Sequence, residues 1–553
     1  MDEPRLWTDA IVTQVKERVA ASPLLREVVK KHGYIIYDEK TPSGQIHVGS
    51  GRGWVIHDCV AKALRQCGLP AKFILSSDDM DPYDKPNKEL DESWNRYLGM
   101  TFRDIPSPVE GYESFGHYYF SQATEKFAEW GIECELQSTG QRYCDGSFNA
   151  QIKTVLDNAD KVQAIFAELY GEDNPAARKL PFNVKCPACK KIATTESSKW
   201  DPEKEMVFFE CRDGVVKYAR GCGESGWISP YNGNGKLPWK VEWAAKWPMI
   251  GAVFETAGKD HFTDGGSRTA ACRIAVDVLG YPPPLPSEGY ETGDGYEFFT
   301  IGGAKMSTSK GRGIAFRDVT QYAPANMLRY LMVKSRPNSV IDFDPYKDHD
   351  LLLLYDRYDK MEDVYFGMVE APEEERAVQK RIYELSYIGD IPKVCPVHIP
   401  LNTASFIIQA ANFDIPKALE GLKKLSYDLS GPDAKAQAEA RLLLAERWVR
   451  NFASEQYKFE VVKSVDTQWL GSLGEKEREA LRLLRKRLED GKSTGEAQLA
   501  DELYGIKDEL GMDVKDFFKV VYRALIGKEK GPRLAQFILS IGKENVARLL
   551  SEA

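Results

Sequence analysis

The stretch from Gly33 to Asp79 restricts the fold of this chain more than any other, because it reads as strand, glycine turn, helix and strand in immediate succession: "GYIIYDE", then "GSGRGWVIHDCVAKALRQCG", then "AKFILSSDD". Trp54, Cys59, Val60, Ala63 and Leu64 recur at helical intervals, and Gly68 with Pro70 supplies the stop signal. A βαβ unit of this kind crosses over right-handedly, builds a parallel sheet and leaves its ligand site at the carboxyl ends of the strands. The turn between the first strand and the helix, "TPSGQIHVGS" from Thr41 to Ser50, holds Gly44, His47 and Gly49 at that position. Glycines there let phosphates approach backbone N–H groups at a helix start, and His47 adds a side-chain donor for charge developing on a phosphoryl oxygen.

With 553 residues the chain exceeds what one hydrophobic core supports, and at roughly 150 residues per domain it holds about three or four. Its start, "MDEPRLWTDAIVTQVKERVA", is charged throughout, and no segment is long and apolar enough to span a bilayer, so a cytoplasmic protein without a membrane partner is expected. Ten cysteines in a chain with no secretory signal argue for reduced thiols and metal binding over disulfides. The net charge of −9 is uneven. Lys and Arg balance Asp and Glu from Leu401 onward, so the carboxyl-terminal part is the less repulsive surface for a polyanion.

The alternation of strand and helix signals divides the chain into a parallel-sheet, nucleotide-binding core in two halves, residues 1–100 and 238–330, separated by an insertion of mixed structure over 101–237. Short runs such as "MVFFE" belong to that insertion, and strand and helix signals resume at "MIGAVFETAGKDH", "SRTAACRIAVDVLG" and "YEFFTIGGAKMSTSKG". Beyond about Asp350 nearly every segment reads helical, as in "KEREALRLLRKRLED", where Leu481, Leu484 and Leu488 form one face. The fold class expected is therefore α/β followed by all-α.

"KMSTSKG", Lys305 to Gly311, is a Gly/Ser-rich loop with two lysines after a strand-like run. Paired with the early histidine turn it can clasp a triphosphate from two sides. Together the two stretches resemble the HIGH and KMSKS signatures of class I aminoacyl-tRNA synthetases. Further segments, "SSDDMDPYDKPN", "LGMTFRDIPSPVEGYESFGHYYF", "LPWKVEWAAKWP", "GKDHFTDGGSRT" and "YRALIGKEKGPRLAQFILSIG", resemble the class I lysyl-tRNA synthetases from about residue 30 to the end. The resemblance implies a Rossmann-type parallel-sheet catalytic core split by a connective insertion, lysine activation with ATP and Mg²⁺, transfer to tRNA(Lys), a stem-contact region over 331–390 and a helical anticodon-binding domain over 391–553. It also implies His47, Lys305 and Lys310 as catalytic residues. Gly44, Gly49, Ser50, Asp260, Met306, Ser307 and Ser309 would join His47 and Lys305 around ATP, and Thr41, Trp239, His261 and Tyr296 would line the amino-acid pocket, to which Asp79 is added as a strand-end acid.

A lysine pocket needs apolar or aromatic walls for the stem and an acceptor for the ε-ammonium, with Glu39, Asp79 and Asp81 as the acids at the first two strand ends. Trp239, Trp243 and Trp247 lie at helical spacing, which fits core packing as well as a pocket wall. Three departures from the family pattern stand out: Glu39 where a glycine is usual, Thr308 in place of the second lysine of the loop signature, and an incomplete metal motif. "CPAC" at Cys186 and Cys189 has zinc-knuckle spacing, while "GCGESG" offers Cys222 alone, so Cys211 is the candidate fourth ligand of a structural zinc; an insertion held by ordinary packing is the alternative. A non-catalytic tRNA-binding relative and a synthetase for another amino acid such as glutamate are the competing functions.

Overall fold

A computed structural model describes residues 6–306, 313–491, 495–531 and 533–552. Ser307, Thr308, Ser309 and Lys310 lie outside the described residues. The chain forms two compact units, one of residues 1–343 with 372–391 and the other of residues 344–371 with 392–553. The stretch 331–390, read from sequence as one region, is thus shared between them.

The first unit is built on a parallel sheet of four strands, β1 (Tyr34–Lys40), β2 (Ala71–Ser77), β3 (Glu135–Ser138) and β4 (Ala252–Phe254), in the order β3-β2-β1-β4. Ile35, Ile36 and Tyr37 of β1 are buried, as a strand covered on both faces requires. Helix α1 (Val48–Gln66) follows β1 and packs on the sheet. Strand order reverses between β1 and β4, so the carboxyl ends of these two strands frame the crevice where such sheets take their ligands.

One boundary is corrected. β3 comes from within residues 101–237, so the first half of the core continues beyond residue 100. Its sequence, "ELQS", is partly buried to exposed at the sheet edge, with Leu136 47% exposed, and lacks the apolar run that marks β1 and β2. The insertion proper carries an antiparallel sheet of Thr195–Asp201, Met206–Cys211 and Ser225–Ile228, with "MVFFE" in its middle strand.

The regular structure of the second unit is helical among the described residues. In the helix Glu475–Asp490, Leu481, Leu484 and Leu488 are buried together with Ala480, as their spacing predicts.

Candidate active site

At the carboxyl ends of β1 and β4 lies a cavity of about 600 Å³, lined among others by Glu39, Thr41, Asp78, Trp239, His261 and Tyr296. Its aromatic wall begins at the first residue of helix α2 (Trp239–Ile250). Trp239, 45% exposed, stacks on buried Trp243 at 6.2 Å between ring centroids, and His261 stands edge-on to both rings at 6.0 and 5.6 Å. The helical spacing of the three tryptophans therefore serves two purposes: Trp239 and the buried Trp243 line the cavity, while Trp247 is core behind them. Both buried indoles donate to the Glu255 carboxylate just past β4, at 2.9 and 2.5 Å.

Glu255 in turn receives a bond from Arg268 Nη1 at 2.9 Å. Arg268 is fully buried on helix α3 (Ser267–Asp277) and also donates to the carbonyls of Glu255 and Pro284 and to Ser287 Oγ. Burial raises the Glu255 pKa, against the pull of Arg268. Tyr296 also lines the cavity, and its backbone bridges Gly258. Its hydroxyl lies 2.7 Å from where a Cβ on Gly53 would stand, so only glycine at that point of α1 admits the ring. Arg52, the neighbouring residue on α1, donates to five carbonyls, those of Glu297, Phe298, Arg336, Pro337 and Ser339, and so holds the segment that carries Tyr296.

Beneath the cavity lies a cluster of four carboxylates and two lysines. Lys246 Nζ is 2.7 Å from Glu39, 2.5 Å from Asp78 and 3.1 Å from Glu242. Lys236 pairs with Asp81 and lies 3.0 Å from Glu242, and Thr41 Oγ1 donates to Asp81 at 2.9 Å. Burial pushes the Glu39 pKa up to about 7 although Lys246 opposes it. Burial and the neighbouring Glu39 charge raise Asp78 well above the ordinary carboxylate range. Burial pushes Asp81 up, but Lys236, Lys246 and the Thr41 hydroxyl together outweigh it and leave the Asp81 pKa lowered. The cluster holds two more carboxylates than ammonium groups, and that excess adds to burial, the main cause of the raised Glu39 and Asp78 values.

His47 is the residue just before α1. Its ring folds over the first turn, 2.8 Å from where a Cβ on Gly49 would be, so Gly49 makes room for imidazole as well as for any phosphate. The turn is tied to the far side of the late loop: His47 bridges Ala315, Val48 N–H donates to the Ile314 carbonyl, and Phe316 N–H donates to the Ile46 carbonyl. Met306 Cε stands 3.3 Å from the same virtual Cβ. The two sequence signatures are therefore neighbours in space, at Gly49 and Met306.

Of the residues predicted for the amino-acid pocket, Thr41, Trp239, His261 and Tyr296 line one cavity together with Ser50. Asp260 sits beside His261 on the exposed 3₁₀ turn Lys259–His261. Gly44 is buried in the turn ahead of α1, and Lys305 pairs its backbone with Thr300. Asp79 is a correction. Its carboxylate accepts from Ser138 Oγ at 2.6 Å and from Gly140 N–H at 2.7 Å, and it faces a separate cavity with Arg103. Successive residues leave a strand end in different directions, and Asp78 takes the place expected of Asp79. Asp78, Glu242, Lys236, Lys246 and the supports Glu255, Arg52 and Arg268 were not singled out from sequence. The one available signal was the four-residue spacing of Glu242 and Lys246, which ordinarily marks a surface pair.

The four insertion cysteines also come together. Cys186 and Cys222 Sγ are 3.6 Å apart, Cys189 and Cys211 Sγ 3.7 Å, and all four lie within 4.8 Å of one another. A tetrahedral zinc with bonds of about 2.3 Å has sulfur–sulfur edges of about 3.8 Å, so the quartet fits that ion.

Residues 5–389 match the family of tRNA synthetases class I (K), and residues 448–553 match an anticodon binding domain. The Lysine--tRNA ligase of Methanocaldococcus jannaschii is 31% identical over 560 residues, covering 99% of each chain. That of Archaeoglobus fulgidus is 30% identical over 536 residues, covering 97% of this chain and 99% of its own. Among solved structures, a glutamate tRNA ligase from Elizabethkingia meningosepticum matches 94% of this chain and 98% of its own at 12% identity and a TM-score of 0.45. With a parallel sheet open at its strand ends, a histidine turn beside the late loop and full-length relatives at this identity, the chain belongs to the class I tRNA synthetases of the K family.

Proposed function

We propose that this protein is a lysine--tRNA ligase, which joins lysine to AMP from ATP and passes the lysyl group to tRNA(Lys). The observation that carries the choice of amino acid is the surplus of carboxylates over lysines beneath an aromatic wall. A cation on an aliphatic stem satisfies both features, since the stem packs on Trp239 and Tyr296 while its charge offsets the excess acid. Lys236 and Lys246, the two cations of that cluster, are each already shared between carboxylates, so neither is spare for a glutamate side chain. The relatives named Lysine--tRNA ligase support the same reading. Presence of the histidine turn and the lysine loop argues against a non-catalytic relative.

In the first half reaction the ionised lysine carboxylate attacks the α-phosphorus of ATP. A carboxylate oxygen to phosphorus bond forms, and the bond to the bridging oxygen of pyrophosphate breaks. No general base is needed, so the protein's work is alignment and donation to developing charge. His47 at the start of α1 supplies one such donor, and Gly49 and Ser50 supply the helix N-terminus; Lys305 and Lys310 are the loop's donors by their place in the signature. Mg²⁺ accompanies the triphosphate as its counter-ion. A ribose hydroxyl of the tRNA end then attacks the lysyl carbonyl and AMP leaves.

The cysteine quartet is assigned to a structural zinc that holds the insertion, and the second unit, from residue 392 onward, to the anticodon stem-loop, in keeping with the match over residues 448–553.

Lysine-dependent exchange of labelled pyrophosphate into ATP tests the function, and glutamate in place of lysine should give none. The same assay tests the acid surplus. Glu39, with its pKa raised to about 7 from 4.5, holds its proton more tightly when folded, so its contribution to stability is full below about 4.5 and is lost as pH rises through 7. For binding the sign is opposite, because deprotonation adds the charge that attracts an ammonium. The KM for lysine is therefore expected to fall as pH rises through about 7, roughly tenfold for each unit by which bound lysine lowers that pKa. Glu39→Gln should flatten this profile, and an unchanged profile would remove Glu39 from the recognition of lysine.

A further inference from the structure

In the helical unit, the segment after residue 392 carries the run "CPVH", a Cys-x-x-His spacing, against the helix Asp348–Phe366. His398 Nδ1 lies 3.0 Å from Asp363 Oδ1, and Cys395 Sγ lies 3.9 Å from the same oxygen. The ligand atoms of the three residues are all within 4.8 Å of one another. We propose that Asp363, Cys395 and His398 form a second metal site, for a zinc-type divalent ion, which fastens this segment to the helix.

Four observations converge on it. Tetrahedral zinc with ordinary bond lengths gives nitrogen–oxygen and oxygen–sulfur edges of about 3.4 and 3.6 Å, and the measured 3.0 and 3.9 Å lie within half an ångström of these. The second ring nitrogen, Nε2, meets Glu362 Oε2 at 3.0 Å. That is the carboxylate partner that orients a metal-bound histidine and settles its tautomer. Charge is also in surplus. Asp359, Glu362 and Asp363 share one helix face, and Arg441 is spent on Asp359 at 2.8 and 3.1 Å, which leaves two carboxylates to one histidine. Finally, the donor set of one nitrogen, one sulfur and one oxygen suits zinc and disfavours Mg²⁺ or Ca²⁺, which take oxygen throughout. Three protein ligands leave one position for water. A histidinium held between two carboxylates is the competing arrangement, and it gives no reason for Cys395 Sγ to converge on the oxygen that His398 faces.

The test compares metal content in the full-length chain, purified with zinc and dialysed against a weak chelator. Wild type is expected to retain one equivalent of zinc per chain more than either Cys395→Ser or His398→Asn. Cys189→Ser, which breaks the insertion quartet, should leave that difference in place, so the two sites fail separately. Equal zinc in wild type and both variants overturns the proposal. Should the variants not fold, anomalous diffraction at the zinc edge from wild-type crystals grown with zinc decides it: a peak between Cys395, Asp363 and His398 is expected, and none there overturns the site.

Discussion

His47→Ala is expected to slow lysyl-adenylate formation about a hundredfold while leaving the affinity for lysine nearly unchanged. The imidazole is in place before ATP arrives: it precedes the first turn of α1, lies over Gly49, and its backbone is bridged to Ala315. A donor fixed in this way costs no reorganisation when charge develops on the phosphate, and loss of one such donor typically costs ~3 kcal/mol. The amino-acid cavity is walled by Trp239, Tyr296 and the acid cluster, none of which depends on the His47 ring. Pyrophosphate exchange at varied lysine therefore separates the two effects, with kcat falling and KM holding. Exchange at near wild-type rates in a folded variant would show that the turn only shapes the backbone. The same loss is expected for Lys305→Ala if the loop lysine acts on the transition state.

Arg268→Met is expected to destabilise the catalytic unit by about 3–5 kcal/mol, the usual cost of leaving one partner of a buried ion pair unpaired. Arg268 is fully buried, and its guanidinium neutralises Glu255 and satisfies two carbonyls and the Ser287 hydroxyl. Without it Glu255 must protonate or remain as an isolated buried charge. Since both core indoles donate to that carboxylate, Trp243 and Trp247 lose their fixed partner. Urea unfolding followed by tryptophan fluorescence reads the change directly. Adding Glu255→Gln to Arg268→Met should recover part of the loss by removing the stranded charge, and a shift below about 1 kcal/mol in the single variant would mean that the pair does not hold the wall.

These two residues also mark what was and was not legible in the sequence. His47 could be found because its meaning is local: a histidine and glycines between an apolar strand and an amphipathic helix are read from ten consecutive positions. The same is true of β1, β2 and α1, whose apolar runs and helical spacing follow from burial on both faces of one sheet. Thr41, Trp239, His261 and Tyr296 were reached through resemblance, and the structure gathers them on one cavity. Asp79 was reached instead as an acid at a strand end, and it faces elsewhere, because which of two adjacent acids enters a crevice depends on the direction in which the chain leaves the strand.

Arg268, Glu255, Lys246 and Glu242 carried no such signal. Along the chain they are ordinary charges, the last two at a spacing common on solvated helix faces, and only the packing of α2 and α3 against the sheet buries them and converts them into the frame of the site. β3 escaped notice for the converse reason, since an exposed edge strand of four residues needs no apolar run and takes its identity from the backbone bonds of its neighbour β2. The sequence alone determined β1, β2, α1 and the helical character of the carboxyl-terminal part, the two signatures and the family resemblance, because these rest on periodicity and on residues adjacent in the chain. The tertiary structure alone decided which charges are buried, which carboxylates exceed their partners, and that Asp363, Cys395 and His398 meet, because burial and the pairing of distant residues arise only when separate segments fold against one another.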